Sequence, residues 1–160
     1  MKKNRPKLLL TTHVEKFSQC YLEMQNLNKD HYEEISEHRR HDIKLEPDYD
    51  RYFKLENEGG LIYITLRSQG KIVGYYIGFI QTDLHYKKCL SLFQDILFIS
   101  RHARGQKALP LLISAVECEA KRRGCKRTTF GVKEKHKLHL QKQLLDLNYE
   151  PFEIHFCKWF

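Results

Sequence analysis

The 160-residue sequence holds no apolar run long enough to span a bilayer, no C-x-x-C pair, no internal repeat and no low-complexity stretch. The first absence excludes a spanning helix, which needs about 20 consecutive apolar residues. Near the start, Met1 to Val14 is basic but offers only Leu8 to Leu10 as an apolar patch, too short for a signal-peptide core. A cytoplasmic protein with no membrane partner is therefore expected. Five cysteines, Cys20, Cys89, Cys118, Cys125 and Cys157, form an odd set without close pairs. That excludes a disulfide framework and a cysteine zinc site, and the thiols read as reduced, mostly in the core. His38/His41 and His136/His139 have i, i+3 spacing, yet no third ligand converges on either pair, so no metal is expected.

What is present points to one globular domain over residues 1–160, with a loose basic end at 1–6. Hydrophobic residues make up 41% and charged residues 30%, both ordinary for a packed domain. The net charge of +8 is unevenly spread. Arg101 to Lys142 carries 12 Lys/Arg against 3 Asp/Glu, whereas Glu15 to Glu58 carries 12 acids against 7 bases. A basic half suits nucleic acid or a polyphosphate group equally well. Few aromatics and no recognised binding module accompany it, so nucleic acid is not expected as a partner.

Read in order, Lys7 to Val14 has the content of a first strand. Phe17, Tyr21, Met24, Leu27, Tyr32 and Ile35 then recur at roughly helical spacing within Glu15 to Arg40, as one helix or as two broken at Asn26 to Asp30. Pro47 opens a second helix that Gly59-Gly60 ends. Leu61 to Arg67 and Lys71 to Gln81 form a hairpin around Ser68-Gln-Gly70, and Gly74 and Gly78 on the second strand mark a bulge or a close approach. After the polar turn Asp83 to Lys88 comes the strand Cys89 to Ser100, then the basic turn Arg101 to Ala108. A helix follows with Leu109, Leu112, Ile113, Val116 and Ala120 on one stripe, ended by Gly124. Arg127 to Val132 is a strand, Lys135 to Leu147 a helix, and Phe152 to Trp159 a closing strand. A strand that leads through cations into a helix start makes an anion site, because first-turn amides lack intrahelical partners and the dipole is positive there.

This order, with "GYY…LHYKK", "DILFI" and "NYEPFEIHFCKWF", resembles the GNAT superfamily of N-acetyltransferases over about Lys7 to Phe160, and is most similar to its small phage-encoded members. The resemblance implies an α/β (α+β) fold: a mixed, mostly antiparallel central sheet with a parallel pair splayed at the cofactor site and helices on both faces. It also implies that Arg104, Gly105, Gln106, Lys107, Ala108 and Leu109 hold the pyrophosphate of acetyl-CoA. Lys107 and Leu109 stand where the family has small residues. Phe98, Ile99 and Ser100 are implied as contacts to the pantetheine arm. The family's proton donor is a tyrosine in the last helix; its position here holds Leu144, which leaves Tyr149, Tyr86 or water.

Amine acetylation requires a group to take the ammonium proton and a group to protonate the thiolate. Asp95, a carboxylate on an apolar strand, is a candidate base or else a structural residue at the strand's start. His85, at the hairpin exit, is a second candidate base. The acids Glu33, Glu34, Glu37, Asp48 and Asp50 line an acceptor cleft or form a solvated surface. The implied activity is an acetyl-CoA-dependent N-acetyltransferase acting on a primary amine of a small molecule, or on a protein lysine or N-terminus. The other reading is a GNAT-fold protein without catalysis that binds a phage or host protein or a virion. A homodimer is compatible with either.

Overall fold

The computed structural model describes residues 8–105, 107–134 and 137–160, so the basic end at 1–6 lies outside the described residues. The chain divides into two compact units, Met1–Thr129 and Phe130–Phe160. In the first, β1 (Leu10–Val14), β2 (Leu61–Ser68), β3 (Lys71–Asp83), β4 (Tyr86–Ile99) and β5 (Arg127–Thr129) make one sheet in sequence order. β1 to β4 pair antiparallel and β5 joins β4 in parallel, which is the mixed, mostly antiparallel sheet expected. Helices α1 (Phe17–Ile35), α2 (Tyr49–Asn57) and α3 (Ala108–Arg122) complete this unit.

The period-two alternation of β2 sorts its side chains between two faces. Leu61 and Tyr63 join Tyr75, Ile77 and Phe98 under α1 and α2 in one apolar cluster. Its centre is Phe17, 0% exposed, whose ring meets Tyr52 at 4.9 Å and Tyr63 edge-on at 5.5 Å. α3 packs against β1 and β2 from the other side through Leu112, Ile113, Val116 and Ala120, four of the five stripe residues. Its buried Glu119 is paired by Arg122 and Arg123 at 2.6 and 2.8 Å, as a buried carboxylate must be.

α1 runs unbroken through Asn26 to Asp30, where the sequence allowed a break. The buried Asn28 accepts a 2.7 Å hydrogen bond from Tyr75 Oη, and this tertiary bond outweighs the low helix propensity of asparagine. At the far edge of the helix, Arg67 on β2 bonds Glu15 and Glu23 at 2.9 and 3.0 Å and so fixes α1 to the sheet. Gln69 and Gly70 both take positive φ, 50° and 78°, in a two-residue turn whose twist matches that of the flanking strands.

Three expectations change. No strand forms over Phe152 to Trp159: Phe152, Ile154 and Phe156 alternate as a strand would, but they are exposed and belong to no ladder, and a strand exists only through its ladder. β5 stops at Thr129 rather than Val132, because its register with β4 ends there. Of the five free cysteines only Cys20 is buried, and Cys118 and Cys157 are exposed.

Both glycines of β3 have reasons. A Cβ on Gly74 would lie 2.9 Å from the carbonyl oxygen of Phe98, and one on Gly78 would enter the ring and hydroxyl of Tyr76, which lie along the strand over it. Tyr76 is fully buried and its ring has nowhere to swing. Gly78→Ala is expected to cost about 1–3 kcal/mol in denaturant titrations by overpacking. Gly131→Ala, whose Cβ would meet nothing within 4 Å, should stay within about 0.5 kcal/mol. Equal losses in the two variants would contradict this account.

Candidate functional site

β4 bonds β3 from Tyr86 to Ile99 but bonds β5 only over Ser91 to Phe93. From Gln94 onward β4 has no ladder partner on that edge among the described residues. Ser100 N–H donates to Val73 at 2.8 Å, so the alternation of an extended strand turns the amide of its neighbour Ile99 toward the open side. Ser100 is 6% exposed, and its buried Oγ has no hydrogen-bond partner among the described residues.

At the point where β4 and β5 part, β4 is bulged. Ile77 faces Ile96 and Gly78 faces Gln94, which leaves Asp95 as the extra residue. A bulge re-aims side chains and bends its strand. Here the Asp95 carboxylate meets α2, and Tyr52 Oη donates to its Oδ2 at 2.5 Å. Burial raises the pKa of Asp95, while the bond from Tyr52 and then the charge of Arg51 work to lower it. The side chain keeps an accessible edge, so a proton can still reach it.

At the end of β4 the basic turn folds back on its own strand. Arg104 Nε donates to Ile99 O at 2.7 Å, and the guanidinium lies 5.7 Å from the centroid of the Phe98 ring. Its Nη1 donates to Glu34 Oε1 at 2.6 Å, while Arg101 Nε donates to Glu34 Oε2 at 3.1 Å. Glu34, near the C-terminal end of α1, therefore holds both arginines. Burial would raise its pKa, but the hydrogen bonds from Arg104 and Arg101 outweigh this and hold it below the ordinary glutamate value.

Lys107 is the N-cap of α3 and takes φ 59°, ψ 17°. That is the left-handed conformation a glycine adopts freely, so lysine stands in a glycine's backbone shape. Behind it, the first turn offers the amides of Ala108 and Leu109, since Pro110 has none. No acidic residue lies in that turn. Gly105 has φ 82° and open space where a Cβ would stand. A phosphate-bearing group thus fits an open glycine, a helix start and an unpartnered buried hydroxyl, whereas two of the three cations already hold a carboxylate.

The other sequence candidates lie apart. His85 is exposed in the two-residue turn between β3 and β4, ten residues before Asp95, about 30 Å along an extended strand. Asp95 and His85 are not brought together. In the second unit, with α4 (Lys137–Asp146), the Tyr149 ring packs edge-on against Phe130 at 5.2 Å and its amide donates to Leu144 O at 3.0 Å. Gln106, Lys135 and His136 lie outside the described residues. Among the described residues no group of three His, Cys, Asp or Glu is placed to hold a metal ion, and no helix is long and apolar enough to cross a membrane. Sequence reasoning missed two residues. Tyr52 falls within the second helix with nothing to single it out, and Glu34 reads only as one acid among five; no local signal names the partners of either.

Residues 21–141 match the acetyltransferase (GNAT) family. No curated protein matches the sequence. Among solved structures the fold is shared with an aminoglycoside acetyltransferase from an uncultured soil metagenomic sample in complex with sisomicin, at a TM-score of 0.71 and 15% identity over 96% of this chain and 97% of that one. The ribosomal-protein-alanine N-acetyltransferase of Brucella melitensis biovar Abortus 2308 gives 0.72 and 12% over 95% and 100%. Aminoglycoside N-acetyltransferase AAC(6')-Iy, solved with CoA, gives 0.69 and 16% over 95% of each chain.

The Glu34 bonds predict a pH signature. Its folded pKa is lowered, so its stabilisation is complete above the ordinary glutamate value of about 4.3 and is lost as pH falls through the folded value. In urea titrations Glu34→Gln should be about 1 kcal/mol less stable than the parent at pH 7, allowing for solvent around Arg101. The difference should shrink as the pH falls below that ordinary value. A difference independent of pH would rule out the charged form as its source.

Proposed function

The chain belongs to the acetyltransferase (GNAT) family, and on that footing we propose that it transfers the acetyl group of acetyl-CoA to a primary amine of a small molecule or a protein. The observation that carries this reading is that one strand, β4, presents an accessible carboxylate at its bulge, Asp95, and leads at its open end into a helix start. Solved neighbours named for aminoglycosides and for a ribosomal-protein alanine support an amine acceptor. A neighbour solved with CoA supports the donor.

Bound acetyl-CoA supplies an activated acyl group. In this reading Lys107, the Gly105 backbone and the Ala108 and Leu109 amides hold the pyrophosphate, with Arg104 and Arg101 around them. Phe98, Ile99 and Ser100 line the pantetheine arm; the Ile99 amide is a donor for it and the Ser100 hydroxyl gains the partner it lacks. Asp95 accepts the ammonium proton as the amine attacks. Water returns a proton to the sulfur. His85, at the far end of β4, is left without a part in this scheme.

The bonds from Glu34 to both arginines favour one alternative, a GNAT-fold protein that has lost turnover and serves as a phage, host or virion-associated binding component. Calorimetry separates the two. The enzyme binds acetyl-CoA at micromolar concentrations, and Lys107→Ala and Arg104→Ala each weaken binding about tenfold or more, the worth of one charge-assisted contact. Supplying an amine should release free CoA. No heat at millimolar acetyl-CoA would sink the enzymatic reading and leave the binding component.

A further inference from the structure

Taking Asp95 as the base proposed above, we infer that Tyr52 is its positioning residue: from α2 it clamps one carboxylate oxygen and leaves the other oxygen for the ammonium proton. The bond is 2.5 Å from Tyr52 Oη to Asp95 Oδ2, and it joins residues 43 positions apart. Oδ1 has no partner among the described residues.

The geometry separates the hydroxyl's work from that of the ring. The Tyr52 ring packs on Phe17 at 4.9 Å and on Phe79 at 6.2 Å, so a phenylalanine keeps the packing. Only the hydroxyl reaches Asp95. Asp95 is left unpaired by the bulge, and a fixed donor restrains its side chain where the ladder does not. A donor also favours the charged form of the acid it bonds, against the desolvation that opposes it. The charged and titratable groups around Asp95 are Arg51 and Tyr52 on α2 and Tyr75 on β3; Tyr75 is in turn bonded to Asn28 on α1 and lies 3.5 Å from His31 Nδ1. Of these, only Tyr52 hydrogen-bonds the carboxylate among the described residues.

The experiment follows the Asp95 carboxyl carbon by NMR in protein labelled with 13C-aspartate, assigned by its loss in Asp95→Asn. In Tyr52→Phe the titration midpoint of Asp95 should rise by about one pH unit, the effect of losing one hydrogen bond to a charged group at a partly solvated site. The acid limb of kcat/KM should move up by the same amount, with the thermal midpoint little changed. Coincident Asp95 midpoints in parent and variant overturn the inference while leaving Asp95 as base. Asp95→Asn with undiminished kcat/KM instead overturns the reading of Asp95 on which it rests. A variant that moves the NMR midpoint but not the acid limb overturns the inference for catalysis, because the carboxylate that Tyr52 controls is then not the one that limits the rate.

Discussion

A strand bonded on both edges for three residues and on one edge for the next six must be held by other means, and β4 is that strand. Ser91 to Phe93 is locked between β3 and β5, and Gln94 to Ile99 depends on β3 and on side chains. Those side chains come from both directions along the chain. Tyr52 grips the bulge from α2, Arg104 bonds the last carbonyl of the strand from the basic turn, and Glu34 anchors that arginine to α1. Each bond belongs to the site as well as to the scaffold. The unpaired edge of this strand therefore decides which side chains must hold it.

The sequence made legible whatever depends on period and punctuation. The β-rich run of Leu61 to Arg67, the Gln69-Gly70 turn and the stripe from Leu112 to Ala120 are local, and the structure repeats them nearly residue for residue. The basic turn and Asp95 were also visible, as cations before a helix and as a carboxylate in an apolar run. Pairing was not. The bulge at Asp95 is a mismatch of count between two strands, and neither strand shows it alone. Tyr52 and Glu34 act on residues 43 and 70 positions away, so nothing beside them in the sequence marks them. The alternating tail from Phe152 failed as a strand for the same reason, since alternation states which side is apolar but supplies no neighbour.

The basic turn shows how a charge can serve two masters in one fold. Unpaired, three cations at a helix start would repel one another and wait for an anion. With Glu34 between Arg101 and Arg104, the turn is neutralised in part and ordered without any ligand. An anion arriving at this turn meets a carboxylate already in place and must either share its arginines or displace it. Attraction at a distance is weakened by that arrangement, because the carboxylate offsets part of the positive charge.

Lys107 carries the same trade into the backbone. Its left-handed conformation costs a non-glycine residue about 1–2 kcal/mol, and the folded chain bears that cost in every state, whether or not anything is bound. A glycine there would relax the helix start but would discard the ammonium group. On the function proposed above, the contact of that ammonium group with the pyrophosphate is what offsets the cost.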